Sequence, residues 1–276
     1  MTAESFIKWV GAKNRVKDLI TSLFPEEYND YYEPFLGGGS IFLHNLKGNR
    51  RFYLSDINQD LINLWKTIQS NVEPLIELCE KHKSEYNNNP QQLKKFHELR
   101  EQFNSRQSNE VESSALFYIL LKAGFNGLVR YNKKGILNSG WGERNIRFEA
   151  NDVREINKLL REHEVYFSAI SFEEIQPKQG DLVFCDPPYI PVGNRILNRR
   201  AYSKKGFDKK LFNILSQVSE KWSNNSVKML ICNHDSEGFR KLFPNYNYYT
   251  YSLLKTFAAN MASRIDTLEV VARNFL

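Results

Sequence analysis

Cysteine is scarce in this chain: Cys79, Cys185 and Cys232 are the only three in 276 residues, and they are widely spaced. No Cys-x-x-Cys pair and no neighbouring histidine pattern accompanies them. This argues against a disulfide framework and a structural zinc, and it fits a reducing compartment. Also missing is any apolar run approaching the roughly 18 residues that a membrane span needs. The first eleven residues hold no long apolar core and no small-residue cleavage site, so secretion is not expected and the chain reads as intracellular. Charge of one sign is only slightly in excess, 38 Lys and Arg against 32 Asp and Glu, for a formal +6. That value permits a polyanionic partner without demanding one. What is present is ordinary globular composition, 41% apolar and 25% charged, which excludes wholesale disorder and a coiled coil. The length suits one large domain, or one carrying a sizeable insertion.

The pattern changes along the chain. Residues 28–60 read as a strand, a glycine-rich turn, a helix and a second strand ending in an acid. From 61 to 122 apolar residues recur at helical spacing, and the polar run between the two apolar stretches predicts a helix with a loop at each end. Residues 124–149 are rich in Gly, Asn and Arg, as in an irregular exposed loop or hairpin. Strand signals return at 165–170, 181–185, 227–232 and 268–275, with helical patterns at 152–163 and 208–222. Such alternation implies a parallel or mixed sheet covered on both faces, here interrupted by a mostly helical segment. No internal repeat is present.

Two motifs carry chemistry. Gly37, Gly38, Gly39 and Ser40 lie between an expected strand and an expected helix, where glycines let the chain turn sharply and let a ligand approach the backbone. Seventeen residues past Gly39, Asp56 ends a strand where nucleotide-binding α/β folds grip ribose hydroxyls. These features fit a nucleoside-type ligand, and equally a tight strand–helix connection. No Gly-Lys-Ser/Thr follows, which disfavours triphosphate hydrolysis. Asp186-Pro187-Pro188-Tyr189 directly follows an apolar strand. Its residue types suit methyl transfer to an exocyclic amine. Adenine N6 is a poor nucleophile because its lone pair is delocalised. A carboxylate and a backbone carbonyl, each accepting one N–H, localise it. Asp186 and the Pro187 carbonyl can serve as those acceptors, the prolines stiffen them, and Tyr189 offers a ring to a base. A simple strand-terminal turn is the competing reading.

Four elements in one order carry a resemblance: residues 6–13 (FIKWVGAK), 33–40 (EPFLGGGS), 56–58 (DIN) and 186–189 (DPPY). Together they resemble the Dam-type, alpha-group DNA adenine N6-methyltransferases, from about residue 6 to 275 and most loosely between 70 and 110. The resemblance implies a Rossmann-like α/β sheet that binds S-adenosyl-L-methionine, in residues 1–60 and 149–276. An inserted, mostly helical target-recognition domain carrying a β-hairpin would occupy 61–148. It implies that Trp9, Lys13, Phe35, Gly37, Gly39, Ser40, Asp56 and Asp186 hold the donor, and that Asp186, Pro187, Pro188 and Tyr189 form the catalytic box. No metal is called for, since none of the five histidines sits in a ligand pattern. His234 reads as strand-end architecture.

A base inside a duplex cannot present N6 to a buried methyl group, so the target must be flipped out. Residues 122–132 resemble the family's recognition region. By position Phe125 matches an aromatic that enters the base stack, Arg130 an arginine that reads guanine O6 and N7, and Leu128 a contact to a thymine methyl. Asn126, Asn138 and Arg144 complete the expected recognition set, with Lys133, Lys134 and Arg147 as phosphate contacts. Phe125 as ordinary core is the plain alternative. Gly140 stands where the Dam pattern often has Pro. The basic run at 195–205 is expected to close over the target strand. The chain is thus expected to be a site-specific, adenine-specific DNA methyltransferase of bacterial, phage or viral origin, cytoplasmic and monomeric. It would act on double-stranded DNA with GATC favoured, and a cognate restriction endonuclease would be a functional partner without forming a complex. The alternatives are an RNA or single-strand adenine N6-methyltransferase, or a non-catalytic DNA-binding relative.

Overall fold

Every residue of the strand Leu182–Cys185 (β4) is buried, as expected of a strand covered on both faces. It is the centre of a seven-stranded sheet in a computed structural model that describes residues 7–9, 11–189, 207–253 and 267–276. Phe6 and Val10 of the N-terminal motif and the basic run at 195–205 lie outside the described residues. The other strands are β1 (Tyr31–Glu33), β2 (Arg51–Ser55), β3 (Glu164–Ser168), β5 (Lys228–His234), β6 (Asn247–Leu253) and β7 (Thr267–Arg273). Their order is β3-β2-β1-β4-β5-β7-β6. The first five are parallel, and β7 runs antiparallel between β5 and β6. This is the mixed, Rossmann-like α/β sheet that the resemblance implies, and strand order reverses between β1 and β4. β6 gives no aliphatic strand signal in the sequence, because five of its seven residues are Asn, Ser or Tyr and Leu253 is its one aliphatic residue; it lies at the sheet edge.

Helices pack on both faces. One core unites β1–β4 with α1 (Lys17–Ser22), α2 (Ser40–Asn45), α3 (Gln59–Ser70), α7 (Ala150–Arg161) and the helical segment. The other lies beneath α8 (Lys209–Asn224) and α9 (Glu237–Leu242). In α3 the residues Leu61, Ile62, Leu64, Trp65 and Ile68 form a buried stripe, and the Asn58 side chain caps its start by accepting from Leu61 N at 3.1 Å. Its last carbonyls, of Ile68 and Gln69, accept from the Asn157 amide at 2.7 and 3.0 Å.

The helical segment continues with α4 (Val72–Asn87), α5 (Gln92–Ser105) and α6 (Glu110–Ala123). Helix α6 is buried almost all round, from Ser114 to Leu121, because α3, α4 and α5 enclose it. A buried polar pair in that contact, Thr67 with Ser114, is satisfied internally at 2.9 Å. After α6 the chain enters the expected hairpin. It is held by isolated bridges, Tyr131 with Leu137 and Gly124 with Trp141, and by no continuous ladder. Side chains of α5 replace the missing ladder bonds. Asn104 pairs with both the N–H and the C=O of Leu137 at 2.9 Å, and Arg100 Nη1 donates to Ser139 O at 2.9 Å.

Among the described residues no helix is long and apolar enough to cross a membrane, and no three His, Cys, Asp or Glu residues cluster as a metal would require. The three cysteines are free and buried.

Candidate active site and nucleic-acid interface

The chain leaves β1 through Glu33 and turns at 34–39 before starting α2. Gly37 and Gly39 have φ of +48° and +67°, the left-handed region that glycine enters without a Cβ penalty. Space forbids a side chain at both. A Cβ on Gly37 would lie 2.7 Å from Trp9 Cδ1, and one on Gly39 would lie 2.7 Å from Trp65 Cζ2. Trp65 also donates its indole N–H to Gly37 O at 3.3 Å. The turn is therefore clamped between two indoles, one predicted from sequence and one missed.

Asp56, at the end of β2, ties that turn to the next strand. Its Oδ2 accepts from Gly37 N at 3.1 Å and its Oδ1 from Asn58 N at 2.9 Å. Burial raises its carboxyl to about 6, although the Asn58 and Gly37 amides pull the other way. Each oxygen keeps a lone pair for a ligand hydroxyl.

Asp186 follows β4 directly. Its Oδ2 pairs with Lys13 Nζ at 2.6 Å. Its Oδ1 is buried and accepts no hydrogen bond. Lys13 is positioned by three further contacts. Its N–H donates to Ser40 Oγ at 3.0 Å, its ammonium donates to Gly11 O at 2.8 Å, and Nζ stands 4.9 Å from the centre of the Tyr189 ring. Burial pulls the Lys13 ammonium down, but the attraction and hydrogen bond of Asp186, joined by Cys232 and Glu269, together outweigh it, and Lys13 stays above its ordinary value. Burial raises Asp186, opposed by Lys13.

Tyr189 is anchored at both ends. Its hydroxyl donates to Glu269 Oε2 at 3.0 Å, and its ring meets the His234 ring edge-on at 4.7 Å. Tyr251 donates to the same Glu269 oxygen at 3.1 Å. A fourth acid, Glu33, accepts from Tyr31 at 2.6 Å, and burial pushes it up to about 8 against that bond. Glu269, Tyr251, Glu33 and Trp65 had not been marked as site residues.

The site residues read from the sequence fall in two groups. Trp9, Lys13, Gly37, Gly39, Ser40, Asp56, Asp186, Pro187, Pro188 and Tyr189 gather around the C-terminal ends of β1, β2 and β4, where ligands bind in open α/β sheets. Phe35 belongs to the same turn, but its ring packs into the second core, 5.6 Å from both Phe172 and Phe207. The other group is the hairpin. Phe125 is 58% exposed and Leu128 36%, so Phe125 is not core. Asn126 has φ of +55° and Arg130 is exposed. Asn138 donates its backbone N–H to Arg130 O at 2.8 Å, and its side-chain Oδ1 is buried with no partner. Arg144 is exposed yet tethered, donating from Nη2 to Gly124 O at 2.9 Å. Beside the hairpin a cleft of about 460 Å³ is lined by Lys8, Lys122, Arg144 and Arg147. Burial lowers the Lys122 ammonium.

The geometry agrees with what similar proteins are. The family model described as D12 class N6 adenine-specific DNA methyltransferase matches residues 9–257. The Type II methyltransferase M1.LlaDCHI of Lactococcus lactis subsp. cremoris is 28% identical over 274 residues, covering 98% of this chain and 95% of that protein. A DNA adenine methylase of Haemophilus influenzae is 28% identical over 277 residues, covering 97% and 92%. One from Vibrio cholerae serotype O1 is 29% identical over 270 residues, covering 97% and 95%. The chain belongs to the D12 class of N6 adenine-specific DNA methyltransferases, and its resemblance to the Dam enzymes extends over nearly its whole length.

Gly39→Ala combines a left-handed backbone with a clash against Trp65. The expected cost is about 2–4 kcal/mol in urea unfolding, from strain and overpacking together. An unfolding midpoint equal to wild type would show that the turn relaxes freely.

Proposed function

We propose that this enzyme transfers a methyl group from S-adenosyl-L-methionine to N6 of an adenine flipped out of a short duplex site, with GATC the favoured sequence. The observation that carries the proposal is the open, buried Oδ1 of Asp186. A buried carboxylate oxygen without a donor costs free energy, and an exocyclic amine is a donor of the right kind. In this reading Asp186 Oδ1 accepts one N6–H and the Pro187 carbonyl the other, so the nitrogen lone pair is directed at the methyl group. The Lys13 ammonium holds Oδ2, which fixes the carboxylate plane. The prolines keep both acceptors still, and Glu269 and His234 hold the Tyr189 ring.

The residues at the strand ends fit the donor. When bound, it supplies a methyl group already activated by a sulfonium. Asp56 would accept from the ribose hydroxyls with its remaining lone pairs, and Trp9, Lys13, Phe35, Gly37, Gly39 and Ser40 would shape and anchor the turn around the rest. Residues 61–148 act as the target-recognition unit on a catalytic unit of 1–60 and 149–276. Phe125 would fill the stack, Arg130 read guanine, and Leu128, Asn126 and Asn138 complete the base contacts. Arg144 and the basic cleft would take phosphates, and the enzyme works as a monomer on duplex DNA.

Mapping modified bases in DNA from methylation-free cells that express the chain tests this directly. N6-methyladenine is expected at one short site, with at least about a hundred-fold loss in Asp186→Ala; DNA without that base would overturn the reading. Arg130→Ala should relax preference at a single guanine by about 1–3 kcal/mol, measured by competition between duplexes changed at one position. Equal weakening on every sequence would make Arg130 a phosphate contact instead. For Asp56 the sign follows from its raised carboxyl. Ribose hydroxyls need the carboxylate, so the affinity for S-adenosyl-L-homocysteine is full above about pH 6. It falls by up to about ten-fold per unit below that value. Calorimetry from pH 5 to 8 should record this slope in wild type and its absence in Asp56→Asn.

A further inference from the structure

Between the hairpin and the Asp56 turn lies a buried polar cluster that methyl transfer itself does not use. Tyr131, 6% exposed, follows Arg130 in the first arm of the hairpin, and its backbone bridges to Leu137. Its hydroxyl donates to Asp60 Oδ2 at 2.7 Å and lies 3.4 Å from Asn58 Oδ1. Arg106 closes the far side with a bidentate pair to Asp60, Nη1–Oδ1 at 2.5 Å and Nη2–Oδ2 at 2.9 Å. The Arg106 guanidinium also rests 4.3 Å from the centre of the Phe103 ring. Asn58 caps α3 through its side chain and donates its N–H to Asp56, and Asp56 accepts from Gly37. Hydrogen bonds thus run without a break from the recognition hairpin to the glycine turn.

We propose that Tyr131 is a positioning residue that couples target reading by the hairpin to donor binding at the Asp56 turn. Packing alone would be served as well by Phe at this buried position; the hydroxyl adds one proton placed between two acceptors. Burial and the neighbouring Asp60 push the phenol's ionisation far up, so it remains a donor. The proton is shared unequally, closer to Asp60 at 2.7 Å than to Asn58 at 3.4 Å. A shift of the hairpin arm as it engages DNA changes how that proton is shared. Asn58 passes the change to Asp56 through the 2.9 Å amide bond and to α3 through its cap. Coupling of this kind is reciprocal, so DNA alters donor affinity by the factor by which donor alters DNA affinity.

The inference rests on Asp56 as the donor-binding acid and on the hairpin as the reader. The test is calorimetric titration of the full chain with S-adenosyl-L-homocysteine, alone and saturated with a duplex bearing the mapped site. Wild type is expected to change affinity by about five-fold or more on adding DNA. Tyr131→Phe should bring that factor to about one while its affinity without DNA stays within about two-fold of wild type. A purely structural role would weaken binding equally with and without DNA and leave the factor intact. A wild-type factor of one, or an undiminished factor in Tyr131→Phe, overturns the proposal. Should Tyr131→Phe fail to fold, Asp60→Asn applies the same test, because it removes the charged acceptor and keeps an oxygen. Asp56→Ala in the same titration separates the two failures: wild-type affinity there would sink the donor reading itself.

Discussion

The buried ion pair between Lys13 and Asp186 sets the terms for the rest of the site. A carboxyl at the end of a fully buried strand would shed its charge if left alone. Lys13 keeps it charged by contact with one oxygen, and in doing so leaves the other open. Lys13 is itself fixed by Ser40 at the start of α2 and by the Gly11 carbonyl. The N-terminal segment, the glycine turn and the end of β4 are thereby one unit. Removing either member of such a pair strands the other as an uncompensated buried charge, typically at about 3–5 kcal/mol. The geometry of residues 186–189 is therefore held by the same contact that holds the chain together at this end of the sheet.

The sheet explains why these parts meet. β1, β2 and β4 are parallel neighbours, so the loops that leave their C-terminal ends converge. Gly37 and Asp56 come from two of those loops and are joined at 3.1 Å, while Asp186 comes from the third. The hairpin reaches the same end by another route. Helix α3 starts just after Asp56, and its first turn offers Asn58 and Asp60 to Tyr131. One helix N-terminus thus faces the glycine turn and the hairpin together.

Much of this was legible in the chain. The glycines, Asp56 and Asp186-Pro187-Pro188-Tyr189 stand beside strand signals strong enough to place them at strand ends, because β4 is an unbroken apolar run and β2 carries Phe52, Tyr53 and Leu54 at its centre. What escaped was whatever depends on long-range packing. Trp65 reads as one more apolar residue in a helical stripe, and only the fold puts its indole under Gly39. Glu269 sits in a strand 83 residues beyond Asp186 in sequence and meets Tyr189 and Tyr251 only through the β5–β7–β6 order. Asn104 and Arg100 lie in a polar run that announces a helix and nothing about the hairpin it clamps. β6 lacks an apolar alternation because an edge strand need not bury both faces.

Charge is the last feature that the chain-wide sum conceals. The formal +6 is small, yet the two signs are sorted in space. Lys8, Lys122, Arg144 and Arg147 line one cleft beside the hairpin. Glu33, Asp56, Asp186 and Glu269 gather at the strand ends, where Lys13 is paired with Asp186. Burial lifts Glu33 to about 8, so at neutral pH this acid resists the negative charge it could carry, whereas Asp56, lifted only to about 6, is ionised there. A cation entering this region would be met by acids whose ionisation it favours. One modest net charge thus conceals two local fields of opposite sign, because the acids gather at the strand ends and the bases line the cleft beside the hairpin.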